Sequence, residues 1–238
     1  MYSIVNSDNL NSFNEFVGAK IPNHLLRLYK IPDFIQFCFS QLIWRIPNSE
    51  KKVFLTFDDG PHPQSTPYIL EMLEQFEARA TFFCLGAHIE LYPEMFNRIL
   101  NAGHGIGNHG YHHLSGWQTR IETYIKNTRQ GSKITGSDLF RPPYGRLTWQ
   151  QYNNLKCEFK ILMWSLNTYD YDQKQSLNTT INKLCNHTKS GSIVLFHDQP
   201  SSLKTTLYIL YEYLSHLTEK GFSCESIEEA GLSPKYHL

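Results

Sequence analysis

From residue 51 onward, the hydrophobic positions of this chain alternate between two spacings. Short runs of consecutive apolar or β-branched residues, typical of buried strands, are separated by segments whose apolar residues recur every three to four positions, as in helices. The predicted strands are residues 53–57, 80–84, 105–108, 139–140, 160–165, 192–196 and, more weakly, 222–226. The predicted helices are residues 67–76, 93–101, 120–135, 148–155, 177–188 and 203–220.

The alternation of strands and helices predicts an α/β fold with parallel strands joined by helical crossovers. About seven strands in a chain of 238 residues suit a (β/α) barrel better than a doubly wound open sheet. The G-x-G-x-x-G match at residues 105–110 begins inside the predicted strand 105–108, so none stands between a strand and a helix, which argues against a dinucleotide site. We therefore predict a parallel barrel around one core.

Residues 31–46 (IPDFIQFCFSQLIWRI) form a separate apolar stretch near the N-terminus. They include Asp33 and Arg45, and the stretch is too short and too polar to span a bilayer. We predict a helix that packs its aromatic face on the domain, and a helix for a membrane surface or a partner protein is the alternative.

Composition adds limits on partners and location. Lys plus Arg and Asp plus Glu both number 22, so the charge does not indicate nucleic acid or an anionic membrane as a partner. Five widely spaced cysteines without a C-x-x-C pair argue against a disulfide scaffold and fit a reducing compartment. The first residues lack a basic start and an apolar core, so we expect no secretory signal and a cytoplasmic location.

Residues 54–61 (FLTFDDGP) end a predicted strand on two adjacent carboxylates, Asp58 and Asp59. Ionised carboxylates are costly to bury without partners, and the turn at Gly60 and Pro61 leaves both at the open end of the strand. The structural alternative is a helix N-cap beside a solvated neighbour.

Other predicted strands also end on residues that can do chemistry: His109 and His113, Arg141, Asp170, and His197. In a parallel barrel, all these positions lie at the C-terminal mouth, where active sites form. This shared position favours a catalytic interpretation of the two aspartates.

The types of these residues suit a metal-dependent hydrolase. His109 and His113 are spaced i, i+4, so both rings can face one ion, although such a pair alone is often coincidental. With Asp59 they form a His-His-carboxylate set that leaves coordination positions open. Asp58 is then available as the base that deprotonates water.

Three further residues complete the predicted chemistry. His197 could protonate the leaving group, and Arg141 would pair with a carboxylate and fix its orientation. Asp170 would bond an imidazole and set its tautomer.

In chain order, these segments resemble the five motifs of the polysaccharide deacetylases, carbohydrate esterase family 4. TFDDGP (residues 56–61) is similar to the first motif, which implies a general base at Asp58 and a metal ligand at Asp59. HGYHH (residues 109–113) resembles H-[ST]-x-x-H, which implies metal ligation by His109 and His113. It departs at Gly110, where the family usually has a Ser or Thr that braces the loop.

The third and fourth motifs match to different degrees. RPPYG (residues 141–145) matches the third, which implies that Arg141 orients the base and that the backbone N–H of Tyr144 helps to hold the oxyanion. Residues 167–171 (NTYDY) depart from the usual D-x-x-D-W. Asp170 is retained, which implies that it tunes the catalytic histidine, whereas Asn167 replaces an acid and Tyr171 replaces the Trp that lines the pocket in the family.

The fifth motif, IVLFHD (residues 193–198), implies that His197 is the general acid and that Leu195 is an apolar wall of the acetyl pocket. The resemblance covers residues 51–238 and implies a distorted (β/α) barrel with fewer than eight units. We therefore predict a catalytic domain over residues 51–238 and an N-terminal helical extension over residues 1–50 that packs on the barrel.

The resemblance and the residues together predict a metal-dependent deacetylase that hydrolyses the N-acetyl amide of a sugar containing N-acetylglucosamine. The ligand set favours one Zn²⁺, and Co²⁺, Ni²⁺ or Mn²⁺ would also fit a mixed nitrogen and oxygen site. Two alternatives stay open: the same machinery acting on an O-acetyl ester or a cyclic imide, and a carbohydrate-binding relic without activity. The oligomeric state is not predicted.

Overall fold

A computed structural model describes residues 28–228 and 231 of the chain, and a parallel β-sheet runs through this region. Its strands are β1 (Lys52–Asp58), β2 (Ala80–Cys84), β3 (Gly105–Asn108), β4 (Leu139–Phe140), β5 (Lys160–Ile161), β6 (Leu166–Asn167), β7 (Ile193–His197) and β8 (Ser223–Cys224).

Seven strands follow the order β5-β4-β3-β2-β1-β7-β6, and β8 pairs with the start of β1. All the pairs are parallel. Among the described residues β5 and β6 end the path without pairing with each other, so the sheet is an open half-barrel. The predicted α/β barrel with about seven parallel strands is therefore confirmed, in an incompletely closed form.

Helices connect the strands. They are α1 (Asp33–Cys38), α2 (Thr66–Gln75), α3 (Gly86–Leu91), α4 (Pro93–Asn101), α5 (Ile121–Thr135), α6 (Trp149–Leu155), α7 (Leu177–His187) and α8 (Leu203–Glu219). The six helices predicted after residue 51 are all present, and each boundary lies within one residue of its prediction. The sequence pattern missed α3, which has only six residues and leaves little room for a helical period.

The predicted helix over residues 31–46 is wrong in its extent. Only Asp33–Cys38 is helical, and the chain beyond it runs along the open side of the sheet, where Ile43 forms a bridge with Leu162 and Arg45 with Ser192. Sheet pairing in this gap overrides the helical preference of an apolar stretch.

The aromatic residues of the segment 31–46 are only partly buried. Phe39 and Trp44 are buried, whereas Phe34 is 64% exposed and Phe37 is 81% exposed. Residues 1–27 of the predicted extension lie outside the described residues, so the division of the chain at residue 50 stays a prediction.

The predicted strand over residues 160–165 is wrong in its extent, because only Lys160–Ile161 (β5) is a strand and β6 begins after the predicted range, at Leu166. The N–H of Leu162 still donates to the Phe140 carbonyl of β4, and Ile43 bridges to Leu162, with the N–H of Met163 donating to the Ile43 carbonyl. The N-terminal segment therefore pairs with the end of β5.

Strand β1 lies inside the sheet, between β2 and β7, and is packed on both sides. Its ring Phe57 stacks on Phe82 of β2 and Phe196 of β7, with centroids 5.1 and 5.3 Å apart, and all three side chains are fully buried. Rigid packing on both sides fixes where the carboxyl end of β1 lies. None of the helices in residues 28–228 has the length and hydropathy that a membrane span requires.

Candidate active site

The two aspartates at the end of β1 are buried, and their side chains have different partners. Asp58 is 3% exposed and Asp59 is 5% exposed. Asp58 still belongs to the strand and accepts a 2.8 Å bond from Arg141, whereas Asp59 follows the strand with a φ of 82° and faces two histidines. The chain turns between them, so neighbouring acids enter the mouth in different directions.

Asp59, His109 and His113 form a cluster that could hold a metal ion, with one ligand atom from each residue within 4.8 Å of the others. The Asp59 Oδ1 atom lies 3.2 Å from His113 Nε2 and 3.6 Å from His109 Nε2. It is buried, and no hydrogen-bond donor among the described residues reaches it. A buried carboxylate oxygen without a donor is costly unless a cation occupies the site, so these residues fit a divalent metal.

His109 has the tautomer that metal binding requires. Its Nδ1 lies 2.8 Å from the Arg141 carbonyl oxygen, which can only accept, so Nδ1 carries the hydrogen and Nε2 presents a lone pair. Burial, together with neighbouring His113 and Arg141, lowers the pKa of His109 to about 3 and outweighs the opposing effect of Asp59. The ring is therefore a neutral ligand at neutral pH.

The loop that carries both histidines is braced by a residue that the sequence motifs did not identify. Gly110 has a φ of 85°, and a Cβ there would lie 2.7 Å from the Asn127 amide nitrogen. The Asn127 side chain accepts a hydrogen bond from the His112 N–H at 2.8 Å and donates one to the His112 carbonyl at 2.9 Å. The glycine that departs from the motif thus makes room for the amide of Asn127.

Arg141 holds Asp58 from the floor of the site. Its Nη1 donates to Asp58 Oδ1 and to Thr56 Oγ1, each at 2.8 Å, and its Nη2 donates to the Met163 carbonyl at 3.0 Å. The guanidinium also lies 4.1 Å from the centre of the Phe83 ring. Burial raises the pKa of Asp58, and Arg141 opposes this shift, which gives an oriented carboxylate that is a stronger proton acceptor than a solvated one.

His197 at the end of β7 is held by Asp170. Its Nδ1 lies 2.7 Å from Asp170 Oδ1, while Asp170 Oδ2 accepts from the His197 N–H and the Thr206 hydroxyl, both at 2.8 Å. Burial lowers the pKa of His197, but Asp170 and then Asp59 and Asp58 outweigh it and raise the value to about 9. His197 is therefore protonated at neutral pH.

Two of the three predicted substrate residues, Tyr144 and Tyr171, lie beside histidines of the site. Tyr144 is 59% exposed, has a φ of 60°, and its ring lies 4.4 Å from His113. Tyr171 is 49% exposed and approaches His197 edge-on at 5.1 Å. Leu195 lies within β7 and is 3% exposed. The structure thus brings nine of the ten predicted site residues to one end of the sheet, and Leu195 lies two residues before His197 on β7.

Two more residues contact Asp59 and belong to no motif used above. Gln199 Nε2 donates to Asp59 Oδ2, and His88 Nδ1 donates to the Asp59 carbonyl at 2.8 Å. Both line the same cleft as Asp59, His113 and Leu85. Neither could be found from the sequence, because Gln199 lies on the loop after β7 and His88 lies on α3, and each meets Asp59 only through the tertiary fold.

Comparison with known proteins identifies relatives of the chain. A family model described as polysaccharide deacetylase matches residues 45–158. A peptidoglycan-N-acetylglucosamine deacetylase of Bacillus cereus is 32% identical over 196 residues, which cover 78% of this chain and 91% of that protein. A chitooligosaccharide deacetylase of Azorhizobium caulinodans is 33% identical over 163 residues, which cover 65% of this chain and 77% of that protein.

A solved structure with a similar sequence identity has the same fold. The crystal structure of the Bc1960 peptidoglycan N-acetylglucosamine deacetylase, in complex with 4-naphthalen-1-yl-N-oxidanyl-benzamide, superposes with a TM-score of 0.72 and 31% identity. The match covers 80% of this chain and 92% of that one.

Proposed function

The chain belongs to the polysaccharide deacetylase family, and from this premise we propose that it removes the acetyl group from N-acetylglucosamine units of a glycan. As a member of this family it is a hydrolytic deacetylase. The observation that carries the proposal is the pairing, across one mouth, of a metal-ligand cluster (Asp59, His109, His113) with a protonated histidine, His197. Amide hydrolysis needs both an activated water and a proton for the departing nitrogen.

The substrate class is supported by two relatives of different kinds, one a peptidoglycan-N-acetylglucosamine deacetylase and the other a chitooligosaccharide deacetylase. N-acetylglucosamine within a glycan is the substrate that we propose for this chain. The exposed rings of Tyr144 and Tyr171 lie beside His113 and His197, respectively, and would contact the sugar.

We propose that Asp59, His109 and His113 hold one Zn²⁺, because a carboxylate and two imidazole nitrogens suit this ion; Co²⁺, Ni²⁺ and Mn²⁺ are the other candidates. When bound, such an ion lowers the pKa of water and polarises a carbonyl group. The protein supplies the remaining steps.

Asp58 acts as the base in this proposal. Its carboxylate takes a proton from water as the water oxygen forms a bond to the acetyl carbon, and Arg141 keeps the accepting oxygens in place. The backbone N–H of Tyr144 would donate to the carbonyl oxygen as negative charge develops on it.

His197 acts as the acid. It gives a proton to the amide nitrogen as the carbon–nitrogen bond breaks, which yields acetate and a free amine. Asp170 keeps the proton on Nδ1 of His197 and leaves Nε2 directed to the mouth. Leu195 would line the acetyl methyl group from β7.

The test is acetate release from chitooligosaccharides by protein loaded with Zn²⁺, before and after removal of metal by a chelator. We expect release that chelation abolishes and that added Zn²⁺ restores. Acetylated xylan and a cyclic imide serve as competing substrates. Turnover of either one with no release from chitooligosaccharides would contradict the proposed substrate, and no turnover of any substrate by metal-loaded protein would contradict the proposed activity.

A further inference from the structure

The carboxylate of Asp59 is contacted differently at its two oxygens. Gln199 donates its amide nitrogen to Oδ2, while Oδ1 has no donor among the described residues and faces His109 and His113. An ionised carboxylate only accepts hydrogen bonds, so the nitrogen of the Gln199 amide, not its oxygen, must face Asp59.

The rest of the loop fixes that orientation of Gln199. Its Oε1 accepts a bond from the Ser201 hydroxyl at 3.3 Å, and its own carbonyl accepts one from the Ser202 hydroxyl at 3.3 Å. The amide is therefore held from both ends, with its donor towards Asp59.

The backbone of Asp59 is held as well. The ring of His88 donates to its carbonyl at 2.8 Å, and its own N–H donates to the Phe83 carbonyl at 3.2 Å. A non-glycine residue with a φ of 82° persists only where its surroundings impose it. With the backbone fixed, rotation of the carboxylate is the remaining freedom, and Gln199 is the residue that restricts it.

The neutral charge of Gln199 matters for a cation site. A lysine or arginine in its place would neutralise the carboxylate, whereas an amide orients it and leaves its negative charge for the ion. With Oδ2 engaged, only Oδ1 can point to the histidine nitrogens.

We propose that Gln199 is a positioning residue that limits Asp59 to one coordinating oxygen and thereby raises metal affinity and keeps a coordination position open. This inference rests on the proposed role of Asp59 as a metal ligand. Loss of the amide should let the carboxylate rotate, which weakens binding and permits both oxygens to reach the ion.

The experiment measures metal binding by Gln199→Leu and by a matched control, Gln173→Leu. Gln173 is an exposed glutamine that donates to the Ser201 carbonyl at 3.4 Å, so the control makes the same chemical change beside the same loop without touching Asp59. Zn²⁺ affinity is measured by competition with a chromophoric chelator. Thermal unfolding of the metal-free proteins checks the fold, and Gln199→Ala replaces the Leu variant if that variant does not fold.

We expect Gln199→Leu to lose about 10- to 100-fold in Zn²⁺ affinity, as is typical when a residue that orients a ligand is removed. Gln173→Leu should bind as the wild type does. The visible absorption of Co²⁺-loaded protein, which depends on the number of ligands, should change in the Gln199 variant only.

Equal Zn²⁺ affinity and an equal Co²⁺ spectrum in the wild type and the Gln199 variant would overturn this inference and leave the proposed function intact. A wild-type protein that binds no divalent metal would instead overturn the proposed metal site. The two failures are therefore distinguishable.

Discussion

Two histidines on opposite sides of the same mouth have opposite proton affinities. His109 is 2% exposed at its side chain and His197 is 14% exposed, and each uses its Nδ1 in a hydrogen bond within the protein. The pKa of His109 is lowered to about 3, whereas that of His197 is raised to about 9.

The difference comes from the partner of each ring. His109 donates to a neutral carbonyl, that of Arg141, and has a buried guanidinium nearby, so nothing compensates fully for the loss of water. His197 bonds to the carboxylate of Asp170, whose charge more than offsets burial. One residue type thus provides a neutral ligand and a charged acid within a single site.

The largest expected effect is the contrast between a substitution of the metal ligand His109 and one of the acid His197. His109→Ala should lose both metal and activity, because one of three ligands is removed. His197→Ala should retain the metal and lose about 10²- to 10⁴-fold in kcat, the usual contribution of a general acid. Metal content and acetate release are measured on both variants.

His113→Ala is the companion variant on the metal side, since its side chain is 27% exposed and the substitution disturbs packing less. It should reproduce the loss of metal. Full metal content in both ligand variants, or loss of metal in His197→Ala, would contradict the division of roles.

The next effect concerns pH. The acid must be protonated and the base ionised, so activity should rise with pH through the pKa of Asp58 and fall as pH rises through about 9, the pKa of His197. In Asp170→Asn burial still lowers the His197 pKa while the largest opposing charge is gone, so the alkaline limb should move to lower pH. The pH dependence of kcat/KM measures this shift. An unchanged limb would show that Asp170 does not control the acid.

The ion pair between His197 and Asp170 should also contribute to the stability of the metal-free protein. The folded-state pKa of His197 exceeds the ordinary 6.5, so between pH 6.5 and 9 the folded state binds more protons than the unfolded state. The stabilisation, about 3 kcal/mol, is fully present below pH 6.5 and is lost as pH rises through 9.

Urea unfolding from pH 6 to pH 10 measures this contribution as the difference between the wild type and Asp170→Asn. The free-energy difference should be largest at the acid end and should shrink as pH rises. A difference that is constant with pH would assign the effect of Asp170 to packing rather than to the charge of His197.

The smallest expected effect concerns the ring beside each histidine. Tyr144→Ala next to His113 and Tyr171→Ala next to His197 should each raise KM about two- to tenfold, because an aromatic contact contributes about 0.5–1.5 kcal/mol. The value of kcat should hardly change, since binding alone is affected. A large fall in kcat for Tyr171→Ala would show instead that its ring supports the acid.

Motifs and periodicity predicted most of this arrangement from the sequence. The alternating pattern located the strands after residue 51, and because the carboxyl ends of parallel strands share one edge, Asp58, His109, Arg141 and His197 could be expected to meet. The opposite proton affinities of the two histidines depend on burial and on which atom lies beside each Nδ1, and neither can be read from strand periodicity. Only the resemblance to the deacetylase motifs implied different roles for the two residues.

The residues that support the site were not predictable in this way. Gln199, His88 and Asn127 act through loop turns and contacts between distant segments, which leave no periodic signal. The predicted helix over residues 31–46 was wrong for a related reason, because the pairing of this segment with Leu162 and Ser192 is a tertiary contact that local hydrophobicity does not encode.

The most direct test of the opposite histidine states is the titration of the ring nitrogens by NMR, in metal-free protein labelled with ¹⁵N at histidine. We expect His197 to be doubly protonated up to about pH 9 and His109 to stay neutral, with its proton on Nδ1, at every pH above 5. Substitution of each residue assigns its signals. A His197 that titrates at 6.5 or below, or a His109 that is protonated at pH 6, would contradict the account.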